Sequence, residues 1–163
     1  MRKLTATLCL TLAVLLGSVG MSESADFQKG LTAAQSGDFA TALREWTPLA
    51  EQGASDAQYN LGIMYNTGRG VLQDHKTAIK WFRLSAEQGS ANAQYNLGVM
   101  YDNGRGDIQD YIYAHMWANI SASSGNKNAV KVRDIIVTEM TPTDISTAQK
   151  LARECVEKKY KGC

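Results

Sequence analysis

Few residues in this 163-residue chain are of a type and spacing that could do chemistry. There are two histidines, His75 and His115. A metal site needs three or four ligands converging on one point, and no further ligands are apparent near either ring. Gly68-Arg69-Gly70 looks like a fragment of a phosphate loop. It lacks the Lys-Ser/Thr that would follow and the strand that would precede, so the better reading is a helix cap and turn. A nucleophile elbow, zinc spacing and dinucleotide fingerprint are also missing, so the expectation is a chain with no catalytic residues, no metal and no cofactor. The aromatics Trp46, Trp81, Trp117, Tyr59, Tyr65, Tyr95 and Tyr101 could stack on a ligand, but most read as core.

The elements that carry these residues come from one unit written twice. Ala50 to Ser85 is followed directly by Ala86 to Ser121, with 20 of 36 positions identical. A fixed period of this length marks stacked supersecondary units. The two histidines fall 40 apart, so they do not occupy equivalent positions. Each unit reads as two helices. Ala57, Leu61, Met64 and Tyr65 recur at helical spacing and give the first helix a buried face. Gly62 and Gly98 sit mid-helix, where Gly costs about 1 kcal/mol against Ala; their recurrence predicts a partner helix too close for a Cβ. Asp74 is a natural N-cap for the second helix, which carries Ala78, Ile79, Trp81, Phe82 and Ser85. The histidines are expected to be half-buried or at the surface.

The run Ala57-x-Tyr59-Asn60-Leu61-Gly62-x-Met64-Tyr65, then Gly68-Arg69-Gly70-x-x-Gln73-Asp74, Ala78-x-x-Trp81 and Ala86-Glu87-Gln88-Gly89, resembles the Sel1-like repeat family. That family is related to tetratricopeptide repeats, with a longer loop between the helices. The resemblance implies an all-α solenoid of helix hairpins, here about eight helices in a right-handed superhelix. It says little about function, because the repeated residues serve packing. In tetratricopeptide-like solenoids one face of the first helix lines a concave groove. Tyr59, Ile63 and Asn66, with their copies Tyr95, Val99 and Asp102, follow i, i+4, i+7 on such a face. They are the candidate binding residues for a protein or peptide.

The flanks fit this frame. Arg2 and Lys3 precede an uncharged apolar run from Leu4 to Val19, the pattern of a secretory signal peptide over 1–24 with cleavage between 20 and 25. Cys9 lies within that run, after Leu8 and too early for a lipidation site. Without Arg2 and Lys3 the 17 basic residues fall to 15, against 16 acidic, so no charge signal for nucleic acid remains. The mature chain is expected in the periplasm or outside the cell, with no stable membrane insertion. Residues 25–49 read as a degenerate first repeat with a short first helix around Phe27, Gly30, Leu31 and Ala34. Its Asp38 aligns with Asp74, and Pro48 falls late in its second helix. The repeats 50–85 and 86–121 follow, and then a C-terminal cap over 122–163. In the cap, one helix carries Val130, Ile135, Ile136 and Met140. Thr141-Pro142-Thr143-Asp144 then opens a last helix with Ile145, Ala148, Leu151, Ala152, Cys155 and Val156 on one face.

Cys155 and Cys163 would be the two cysteines left after export. Eight residues of continuous helix rise about 12 Å, whereas a disulfide needs Cα atoms within roughly 7 Å. A bond therefore requires the helix to stop and the chain to fold back, which Gly162 permits. The alternatives are a buried Cys155 with a free terminal thiol, or a dimer through Cys163. The same spacing occurs in disulfide-rich Sel1-like proteins, some of which are described as β-lactamase-like or penicillin-binding. The resemblance thus implies a second possible function, a hydrolase. The absence of any nucleophile beside a base favours a non-enzymatic scaffold.

Overall fold

The structure, a computed structural model, describes residues 19–106 and 108–163, with side chains from 27 onward. Most of the leader expected at 1–24 lies outside them. Eight α-helices follow one another and, among the described residues, there is no strand. They are α1 (Val19–Gln35), α2 (Phe39–Glu51), α3 (Ser55–Thr67), α4 (His75–Ala86), α5 (Ala91–Asp102), α6 (Tyr111–Ser123), α7 (Lys127–Ile136) and α8 (Pro142–Glu157). A 3-10 turn, Val137–Glu139, joins α7 to α8. Each helix packs on the next through α7, and α6 also receives α8. This is an all-α solenoid of helix hairpins. The helix α1 spans 17 residues, longer than the short helix expected there.

Local signals set the helix ends. Asp38, Asp74 and Asp110 recur every 36 residues and cap α2, α4 and α6. The Asp74 carboxylate accepts the N–H groups of Lys76 and Thr77 and the Thr77 hydroxyl, donors that would otherwise be orphaned at a helix start. Those bonds hold the Asp74 carboxyl below its usual range, and bonds to Thr41 do the same at Asp38. At the other end, Gly68 takes the left-handed conformation (φ 71°), and its N–H returns to Met64 O. Thr141 and Asp144 form a reciprocal capping box with Pro142 in the first turn of α8.

The glycines of the first helices mark close approach, as expected. A Cβ on Gly62 would come within 2.5 Å of the Phe82 ring. On Gly98 it would meet Ala114 O and Ala118 N at 3.2 Å. The second glycine of each loop does more than turn the chain. At Gly70 a Cβ would reach 2.6 Å from Phe39 Cβ, and at Gly106 it would reach 2.8 Å from the His75 carbonyl carbon. Phe39 and His75 each open the second helix of the preceding hairpin, so each loop is seated on that helix start.

The core has two parts. Trp46, Leu49, Leu61 and Met64 join α1–α3, while Phe82, Leu97, Met100, Trp117, Ile120 and Ile136 join α4–α8. Fully burying a side chain of this kind stabilises by about 1.5–3 kcal/mol. Polar bonds lock consecutive hairpins in register. The buried Gln58 amide donates to Ala50 O and its copy Gln94 donates to Ala86 O; within the hairpin α5–α6 the Ser121 hydroxyl donates to Ala91 O.

Candidate functional site

The six residues of the first-helix row are all half-buried. The side chains are more engaged than open-groove positions would be. The Tyr59 ring lies 5.9 Å from the Phe82 ring, tilted 49°, and Ile63 packs against the second core cluster. Asn66 Oδ1 is 3.1 Å from His75 Nδ1, and its backbone carbonyl accepts the Gln73 amide at 2.7 Å. In the copy, Ala118 stands where Phe82 stands, and among the described residues Tyr95 stacks on no ring. Val99 O accepts from Asn103, and Asp102 O accepts from Gln109 Nε2. Burial, then the charge of Glu139, pushes the Asp102 carboxyl above its ordinary value of 3.8.

Tyr101, assigned to the buried face, is buried, and its counterpart Tyr65 is half-buried against the core. Tyr101 carries a bond that Tyr65 cannot copy. Its hydroxyl accepts from Arg83 Nη2 at 2.6 Å, and the residue 36 before Arg83 is Thr47.

The histidines part company. His75 is half-buried at the start of α4. His115, expected half-buried or exposed, is instead only 2% exposed. The reason is tertiary: α6 is covered by α5, α7 and α8, whereas α4 is covered by α3 and α5. Burial, then the charge of Arg133, pushes the His115 imidazole below its ordinary 6.5, with Asp134 opposing. Among the described residues its Nδ1 has no hydrogen-bond partner, and no group of three His, Cys, Asp or Glu is placed to hold a metal ion.

At the C-terminus α8 stops at Glu157 and the chain turns back. The Cys155 and Cys163 Cα atoms are 5.6 Å apart with their sulfurs at bonding distance. Gly162 has φ 67° as required, but Lys159 (φ 52°) and Tyr160 (φ 65°) also take left-handed conformations, which L residues seldom adopt. Three apolar residues assigned to the cap face outward: Val130, Ile135 and Val156. Each is one residue from a buried neighbour, Ala129, Ile136 or Cys155, and one step turns a helical side chain about 100° away.

Among the described residues no helix is long and apolar enough to cross a membrane. A family model, the Sel1 repeat, matches residues 55–90 and 91–126. The 36-residue period is the one read from the sequence, in a frame five residues later. Among solved structures, the chain is similar to a protective antigen of uropathogenic Escherichia coli strains displaying an SLR fold. The identity is 27% with a TM-score of 0.79, over 85% of this chain and 31% of that one. It is also similar to a Sel1 repeat protein from Oxalobacter formigenes, at 28% identity and a TM-score of 0.60, over 64% of this chain and 41% of that one. The chain thus spans less than half the length of either. No curated protein matches it. Two hairpins with the repeat's motif, matched by its model over 55–126 and stacked as in solved proteins that carry it, show that this chain contains two Sel1 repeats.

Proposed function

We propose that this helical-repeat scaffold is exported, is not an enzyme, and holds a protein or peptide in the bacterial envelope. The observation that carries the reading is the recurrence, 36 residues apart, of Tyr59, Ile63 and Asn66 as Tyr95, Val99 and Asp102, half-buried in both hairpins. Stacked repeats build extended binding surfaces by repeating such positions. Export is supported by the Arg2-Lys3 start and the apolar run behind it, and by Cys155 and Cys163, whose pairing suits an oxidising compartment.

Capture from envelope extract with the tagged full chain, followed by mass spectrometry, tests the reading. The expected result is a defined partner from the envelope fraction. Retention of the full-length precursor in the cytoplasm would overturn export. Turnover of a chromogenic β-lactam above background would overturn the non-enzymatic part. Intact mass of the exported protein should be two hydrogens below the dithiol; two alkylatable thiols would refute the Cys155–Cys163 bond.

A further inference from the structure

A second surface runs along α4. Lys76, Ile79, Lys80 and Arg83 occupy i, i+3, i+4, i+7 of α4 and line one wall of a groove of about 380 Å³, with Gly106 opposite. Arg83 also lines the adjoining cleft of about 430 Å³, where Tyr101, Gln109, Asp110, Tyr113 and Cys163 surround it. The two hollows therefore meet at one guanidinium.

The state of that guanidinium is unusual. Arg83 is half-buried, and no described carboxylate lies within ion-pair distance. Its Nη2 donates to the Tyr101 hydroxyl, and among the described residues its buried Nε has no acceptor. A cation partly removed from water with one neutral acceptor is under-compensated. Lys76 and Lys80 are exposed on the same face and, among the described residues, make no ion pair within 4 Å, although the Lys80 charge acts on the Asp74 carboxyl. Among the described residues three side-chain carboxylates near this face are committed elsewhere. Asp110 accepts the N–H groups of Ile112 and Tyr113, and Asp74 caps α4. Glu87, one turn beyond Arg83, accepts from Gly162 N.

The repeat itself does not demand these cations. The counterparts of Lys76, Lys80 and Arg83 are Ile112, Met116 and Asn119. In α6 that side is used for packing: Met116 is buried, and Asn119 lines a cleft shared with Ala152 and Val156 of α8. Among the described residues the helices packed on α4 are α3 and α5, and three positive charges stand on that side.

We propose that this face of α4 is a docking site for an extended acidic segment of a partner protein, with Arg83 as its anchor. Charge complementarity selects the occupant. Lys76 and Arg83 are seven residues apart, about 10.5 Å along the helix, close to the repeat of about 9.3 Å at which a polyproline II segment returns its side chains to one face. Two carboxylates three residues apart in such a segment lie on one face and meet the two ends. The carboxylate at Arg83 gains charge-assisted bonds that the phenol does not give. The site shares no residue with the Tyr59–Tyr95 row, so variants at single residues separate the two readings.

Fluorescence anisotropy with the full mature protein tests it, using a labelled peptide containing Glu-Leu-Ser-Glu and a control containing Gln-Leu-Ser-Gln. Saturable binding of the acidic peptide is expected, weakened by added salt. Arg83→Gln should weaken it about tenfold or more and Lys80→Gln several-fold, while Tyr59→Ala/Tyr95→Ala leaves it within about twofold. Lys80 is exposed, so that variant stays informative if Arg83→Gln unfolds. Equal binding of both peptides, no saturable binding of either, or loss in the tyrosine variant with retention in Lys80→Gln would overturn the proposal.

Discussion

The hairpins α3–α4 and α5–α6 share more than half their residues yet are built differently where they matter most. In the first, Gly62 makes room for the ring of Phe82, and the outward side of α4 is open: Lys80 is exposed and Leu84 is 45% exposed. In the second, Ala118 replaces the ring, so Gly98 faces the backbone of α6, and the counterparts Met116 and Ile120 are buried. The same repeat thus serves as an open unit in one place and as a platform for the capping helices in the other. The difference follows from a handful of substitutions: Ile79 to His115, Lys80 to Met116, Phe82 to Ala118 and Leu84 to Ile120.

The largest effect expected from this contrast is at Gly62. Gly62→Val drives bulk into the fully buried Phe82 ring and should destabilise by about 1–3 kcal/mol in chemical denaturation. Gly98→Val should also destabilise, since both neighbours are backbone. A neutral result at both sites would mean that the helices do not meet there. Gly98→Ala should be much milder than Gly62→Ala. Its 3.2 Å contacts need only a small adjustment, and the gain of about 1 kcal/mol in helix propensity opposes the crowding. Equal costs for the two alanines would erase the distinction between the hairpins.

His115 gives the contrast a pH dependence. Its folded value lies below 6.5, so the unfolded chain takes up the proton first as pH falls. Its contribution is present in full above 6.5 and is lost as pH drops through that value towards the folded one. His115→Ile, which restores the residue type of position 79, should flatten the melting-temperature profile between about pH 7.5 and 5. An unchanged slope would mean that the imidazole is not held neutral. The smallest effect is at Asp102, whose raised folded value makes its charge a cost as pH rises through it. Asp102→Asn should raise stability at neutral pH by about 0.5 kcal/mol or less, given solvent screening, and by nothing under acid conditions.

Much of this was legible in the sequence because the signals are local. The period, the Asp74 cap, the Gly68 stop and the Thr141–Asp144 box each act within a few residues. What the sequence reading missed is tertiary. Gly70 and Gly106 looked like turn residues, but their seat on Phe39 and His75 joins residues about 31 apart. The burial of Gln58 and Gln94 leaves no local signal in the sequence, because their acceptors, Ala50 O and Ala86 O, belong to the preceding helix. His115 was misplaced because the covering of α6 by two further helices cannot be seen from one repeat, although the exchange of Lys80 for Met116 is its trace. In the candidate row, the engagement of Tyr59 with Phe82 was hidden for the same reason, and Tyr95 emerges as the cleaner probe of the surface.

The scaffold reading is tested most directly by comparing two tyrosine pairs in one binding assay against the captured partner. Tyr59→Ala/Tyr95→Ala should weaken partner binding more than it lowers the melting temperature, with Tyr95→Ala alone leaving stability nearly unchanged. Tyr65→Ala/Tyr101→Ala should lower the melting temperature more and retain binding below it, since Tyr101 is buried and bonded to Arg83. If the two pairs behave alike, the first helices do not carry the partner and the account of this surface is wrong.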